Sequence, residues 1–149
     1  MHDVSRPPAW RRERGTYPFV SAHETRFGDM DVLGHLNNVA YAALFENARV
    51  RFNRSLEARK DRLPGERWLI AAVAISYLAE GFFPDEVEIA GGIGEVGTKS
   101  WRIDQAMFQR GTCIATCDTV IVYSGRDGSK PLPPSLVGQL EARRIAAVG

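Results

Sequence analysis

Long apolar runs are missing from this 149-residue chain. No stretch reaches the roughly 18 apolar residues that a membrane-spanning helix needs, so no membrane span is expected. A dominant charge sign is missing too. The formal net charge is +1 at pH 7, which argues against the broad basic footprint of a nucleic-acid binder. Cysteine is scarce: Cys113 and Cys117 are the two in the chain. Four apart on one extended segment, they would share a face about 13 Å apart at strand rise, too far to bridge. Two reduced, buried thiols in a cytoplasmic protein are therefore expected. Histidine is limited to His2, His23 and His35, with no further cluster to complete a metal site, so no metal is expected. The opening Met1-His2-Asp3-Val4-Ser5-Arg6-Pro7-Pro8 has no apolar core and does not read as a secretory signal. Internal repeats and low-complexity stretches are absent as well.

What is present is ordinary for a globular domain with a sizeable core: 44% apolar and 25% charged residues. Residues 1–17 are polar and Pro-bearing and carry the interrupted basic run Arg11-Arg12-Glu13-Arg14. They are predicted to be a flexible, solvated arm, with one domain over 18–149. Phe19 to Phe27 reads as a first strand. Asn37 or Asn38 can cap a helix continuing to about Leu56. On that helix Tyr41, Leu44, Phe45, Ala48, Phe52 and Leu56 fall on one face, and Ala40, Ala42 and Ala43 keep its first turns slim. Trp68 to Tyr77 is almost continuously apolar, which predicts a strand buried on both faces. Val87, Ile89 and Ile93 alternate with polar residues and glycines, and Gly91, Gly92 and Gly94 predict a bend or bulge there. Trp101 to Phe108 alternates, Arg110-Gly111-Thr112 reads as a hairpin turn, and Cys113 to Ser124 is a further strand. Ser135 to about Ala147 reads as a short terminal helix with Leu136 and Leu140 inward. Strands at hairpin spacing around one helix predict an α+β fold with an antiparallel sheet.

The most informative stretch runs from Phe27 to Asn38: Phe-Gly-Asp-Met-Asp-Val-Leu-Gly-His-Leu-Asn-Asn. It sets two carboxylates, a glycine and a histidine just before a helix start. A helix start offers unpaired N–H groups and the positive end of the dipole. A carboxylate beside such an anion site is what hydrolysis of an acyl group requires. Each residue also has a plainer use. Asp31 can cap the helix or pair with its dipole, and Asn37 and Asn38 are natural caps. Of the two carboxylates, bonding loop N–H groups suits Asp29 better. Gly34 suits a turn or a close approach of substrate. His35 can orient Asp31 or contact substrate, or simply pack in the loop. Tyr41 suits the core, with a hydroxyl able to face a ligand. Glu46 and Arg49, three apart on the helix, are expected to pair.

The residues Arg26-Phe27-Gly28-Asp29-Met30-Asp31, then Gly34-His35-Leu36-Asn37-Asn38, then Tyr41, Glu46 and Arg49, resemble the hotdog-fold thioesterases in the 4-hydroxybenzoyl-CoA thioesterase-like branch. The resemblance spans Phe19 to Gly125, including Ser100 opening the strand after Gly97. It implies an α+β hotdog fold, with a five-stranded antiparallel sheet wrapped around one long central helix. It implies a thioester hydrolase acting on acyl-CoA or an acyl-carrier protein, with no cofactor beyond the CoA that belongs to the substrate. It places the catalytic carboxylate at Asp31 and the carbonyl-polarising N–H at about Asn38. His35 stands in support, and Gly34, Asn37, Tyr41 and Glu46 line the substrate. Glu46 is also the fallback carboxylate, because another hotdog branch carries its own on the helix. Two subunits are expected to pair their sheets and share sites, as a homodimer or homotetramer.

Two other functions stay open at this level. Hotdog hydratases or dehydratases resemble a pattern with Asp and His five apart, whereas Asp31 and His35 are four apart. A non-catalytic acyl-thioester binding module would keep the fold without turnover.

Overall fold

A computed structural model describes residues 6–146. The first five residues of the expected arm, and the expected end of the terminal helix at Ala147, lie outside the described residues. Five strands form one antiparallel sheet: β1 (Phe19–His23), β2 (Arg67–Tyr77), β3 (Val87–Val96), β4 (Ser100–Gln109) and β5 (Thr112–Gly125). Their spatial order is β1-β3-β4-β5-β2, and the two-residue β6 (Gly128–Ser129) pairs with the end of β5. The long helix α1 (Asn38–Arg54) lies on one face of the sheet, and α2 (Pro134–Ala142) closes one end of the core. The α+β hotdog architecture expected from the sequence is the one observed. None of the helices among the described residues is long and apolar enough to cross a membrane.

The helix forms where its pattern says it should. Asn37 is the N-cap, its Oδ1 accepting from the Ala40 N–H at 2.8 Å. All six residues of the predicted apolar face are buried. Tyr41, Leu44, Phe45 and Ala48 pack on Val87, Ile89, Met107 and Cys117, while Phe52 and Leu56 pack on Ile93, Trp101 and Ile103. Burying a side chain the size of Phe45 or Phe52 contributes about 1.5–3 kcal/mol. The helix ends at Arg54, two residues short of the expected Leu56.

Three local expectations are corrected. The Trp68–Tyr77 segment is not a doubly buried strand. It is the edge of the sheet, paired to β5 on one side only, with Leu69, Ile70, Val73 and Tyr77 exposed. Continuous hydropathy reports a surface that wants cover, not whether this chain supplies it. The two cysteines do not share a face. Cys117 lies in the core under α1, whereas Cys113 packs with Tyr17, Ala106 and Phe108 on the opposite side. A register shift between Met107 and Phe108 leaves Ile114 unpaired and inverts the alternation. The N-terminal segment is not a solvated arm where the structure describes it. Residues 9–17 form two short 3-10 turns laid on the sheet face away from α1. There Arg11 is buried, bonded to Asp118 at 2.7 Å and to the Tyr17 hydroxyl at 2.9 Å, with Asp104 at 3.8 Å.

The glycine-rich part of β3 does carry the expected irregularity, a register shift between Ile93 and Glu95. At Gly94 a Cβ would stand 2.1 Å from Asp104 Oδ2. The bare backbone there makes room for the fully buried Asp104 carboxylate and its partner Arg102.

Candidate active site

The site grows from the tight turn before α1. The Gly34 N–H donates to the Asp31 carbonyl at 3.2 Å, and Gly34 itself sits at φ 87°, in the left-handed region that favours glycine. The Asp31 N–H donates to the His35 carbonyl at 2.8 Å. Asp31 Oδ1 accepts from the N–H of Leu33 at 2.9 Å and of His35 at 3.2 Å. That is an Asx turn closed by the side chain's own oxygen. Among the described residues no donor reaches the other oxygen, Oδ2. Two residues earlier, Asp29 points the other way and is buried. It accepts from the Arg26 N–H at 2.9 Å and from the Arg26 guanidinium at 2.9 Å. Burial alone would push the Asp29 carboxyl up, but the bonds from Arg26 outweigh it and hold it below its ordinary value.

A cleft of about 340 Å³ opens at the N-terminus of α1, lined by Asp31, His35, Leu36, Asn38, Tyr41 and the segment Tyr77-Leu78-Ala79-Glu80. Asn38 opens the helix, and no acceptor among the described residues takes its backbone N–H. It is one of the orphan donors at the positive end of the helix dipole. The Tyr41 hydroxyl donates to the Ala79 carbonyl at 3.1 Å, and its ring meets Tyr77 edge-on with centroids 5.2 Å apart. Burial pushes the Tyr41 phenol up, so it remains a donor at neutral pH. The His35 Nε2 lies 3.1 Å from Glu80 Oε2.

The structure thus brings Asp31, His35, Asn38 and Tyr41 to one cleft. Gly34 and Asn37 shape the turn and the cap without lining it. Glu46 is not at the cleft. It is exposed on α1, and it does not pair with Arg49. Arg49 instead turns inward, is buried, and donates to Thr119 Oγ1 at 3.2 Å. Three-residue spacing brings two side chains near each other only when both stay on the helix surface. Ser100 lies away from this cleft, beside Gly97 and Trp101. The wall that sequence reasoning missed is Leu78-Ala79-Glu80, because the turn after β2 carries no local pattern tying it to residues 31–41. Among the described residues no group of three or more His, Cys, Asp or Glu side chains is disposed to hold a metal ion.

A carboxylate with an unbonded oxygen and a helix start with an unbonded N–H, on two residues that line one cleft, are the groups that can activate a water and receive a developing oxyanion. A family model described as the Thioesterase-like superfamily matches residues 25–140, which include every residue of this cleft. The chain belongs to that superfamily. This thioesterase-like chain is similar to a protein from Pseudomonas aeruginosa strain PAO1, 28% identical, covering 92% of this chain and 99% of that one with a TM-score of 0.74. A thioesterase-superfamily protein from Jannaschia sp. CCS1 is 29% identical, with coverage of 88% and 87% and a TM-score of 0.74. A thioesterase from Thermus thermophilus, crystallised with coenzyme A and zinc, is 24% identical, with coverage of 85% and 95% and a TM-score of 0.74. At that identity the last likeness is one of fold. Among curated proteins none matches the chain.

Proposed function

We propose that this protein hydrolyses an acyl-CoA thioester to the free acid and CoA, with Asp31 as the catalytic carboxylate and the Asn38 N–H as the oxyanion donor. The observation that carries the reading is the meeting of Asp31 and the orphan Asn38 N–H in one cleft. Membership of a thioesterase-like superfamily supports the reaction type, and the coenzyme A held by the Thermus thermophilus neighbour supports CoA as the carrier. As general base, Asp31 takes a proton from water as the oxygen attacks the carbonyl carbon. The tetrahedral oxyanion points at Asn38, the C–S bond breaks, and the departing thiolate regains the proton. As nucleophile, an Asp31 carboxylate oxygen attacks the carbonyl carbon and expels the CoA thiolate, giving a mixed anhydride that water hydrolyses to the free acid and the regenerated carboxylate, with the released proton going to the thiolate. His35 supports the loop that holds Asp31, and Tyr41 and Tyr77 give the cleft an aromatic wall.

We also propose that two copies assemble along β2, since its free edge and exposed apolar row are what sheet pairing covers. The free thiols Cys113 and Cys117 accord with a cytoplasmic location.

The test is thiol release, followed with a thiol-reactive dye over acetyl-, hexanoyl-, palmitoyl- and benzoyl-CoA. Wild type is expected to release CoA from at least one, and Asp31→Asn to lose about 10²–10⁴-fold in kcat. Hydration of an enoyl-CoA without thiol release would overturn the reading.

A further inference from the structure

The short turn after β2 contributes a charged group to the cleft that the proposed chemistry leaves without a role. Glu80 sits between residues tied down on both sides. The N–H groups of Leu78 and Ala79 both donate to the Ile114 carbonyl, at 2.9 and 3.2 Å. The Ala79 carbonyl accepts from Tyr41, and the Gly81 carbonyl accepts from the Leu36 N–H at 2.8 Å. Phe82 exchanges two hydrogen bonds with the side chain of Gln109, at 2.9 and 2.7 Å. A Cβ on Gly81 would stand 2.7 Å from Leu36 Cδ1, so the turn lies tight against the segment that carries His35. The backbone around Glu80 is thus bound to α1, β4, β5 and the Asp31 loop.

From that anchored position Glu80 Oε2 reaches His35 Nε2 at 3.1 Å. The Phe82 ring meets the imidazole edge-on, with centroids 5.7 Å apart. The backbone N–H of His35 is itself on Asp31 Oδ1. The imidazole is therefore held by a carboxylate and an aromatic edge, while the backbone N–H of the same residue closes the Asp31 turn. The Glu80 side chain is 63% exposed. An exposed pair of this kind adds little to stability, so its consequence is orientation.

We infer that Glu80 is a positioning residue, which by its contact with Nε2 fixes the ring of His35 in the cleft that Asp31 also lines, for thioester hydrolysis. The inference rests on the thioesterase reading given above. Its test compares wild type, Glu80→Ala, Glu80→Gln, His35→Asn and the double variant His35→Asn/Glu80→Ala on whichever acyl-CoA wild type cleaves best. Glu80→Ala is expected to lower kcat about tenfold with KM within twofold and the melting temperature unchanged. Glu80→Gln, whose amide oxygen can still meet Nε2, is expected to stay within threefold of wild type. In the His35→Asn background, removal of Glu80 is expected to change nothing further. An unchanged kcat in Glu80→Ala, a loss in Glu80→Gln as deep as in the alanine variant, or a full additional loss in the double variant would each overturn the assignment while leaving the thioesterase reading intact. A wild type that releases no thiol from any acyl-CoA overturns both.

Discussion

Asp31 has two oxygens with two occupations. Oδ1 closes the turn by accepting from Leu33 and His35, and Oδ2, without a hydrogen-bond partner among the described residues, is the oxygen proposed for catalysis. Asparagine at this position can keep the first function, since its amide oxygen still accepts two N–H groups, but it offers no base or nucleophile. Alanine loses both. Asp31→Asn is therefore expected to melt close to wild type while turning over about 10²–10⁴-fold more slowly. Asp31→Ala should show the same kinetic defect plus a stability loss of about 1 kcal/mol, since water can reach the two abandoned donors. Thermal denaturation and thiol release on the same preparations separate the two effects. The contrast with Asp29 was not legible in the sequence, because alternation puts residues two apart on the same face, and it is the 3-10 turn over Phe27–Asp29 that turns Asp29 inward. The partnership of His35 with Glu80 was not legible, since it depends on how the chain turns after β2.

At the scale of elements, α1 was read closely because its signals are local: a cap, a 3.6-residue period and slim first turns. The Asn37 cap accounts for one of the helix's orphan donors. Asn37→Ala is expected to cost about 1 kcal/mol, and Asn37→Asp to recover most of it, by chemical denaturation. The face assignment in β5 failed for an equally physical reason. A single unpaired residue, Ile114, inverts every side chain beyond it, and nothing in the alternation marks where it falls. The start of β2 is clasped to the end of β5 by Glu66, which takes an ion pair from Lys130 and a hydrogen bond at 2.9 Å from the Tyr123 hydroxyl. The bond from Lys130, followed by that from the Leu63 N–H, pulls the Glu66 carboxyl from its ordinary 4.5 down to about 2. A depressed carboxylate stabilises the fold above its unfolded value, and that contribution fades as pH falls. Stability contributed by Glu66 should therefore be complete above about pH 4.5 and gone near pH 2. Glu66→Gln is expected to be less stable than wild type at pH 7 and to show a shallower decline between those values, in urea titrations across pH.

For the molecule as a whole, the unread feature of the sequence was the placement of its most apolar strand at the sheet's rim. Hydropathy predicted that Trp68–Tyr77 is covered, and within one chain its outer row is open. The proposed pairing along this edge predicts a particle of twice the 16.5 kDa chain mass by light scattering at micromolar concentration, or a higher even multiple. Val73→Arg, which sets a charge in the exposed row, is expected to shift that mass toward the single chain. A wild type that scatters as a monomer would remove the pairing proposal.

A patch on the other broad surface of the sheet is already occupied by the chain's own leading segment. Arg11 there answers two acidic residues, Asp104 and Asp118, and Tyr17 covers Ala106 and Phe108. A shortened protein starting at the first strand would leave Asp118 without its cation and bare a greasy patch on its back. In the intact molecule that patch is covered while the row along β2 stays open, so growth from one copy to the next has its greasy footing at the rim.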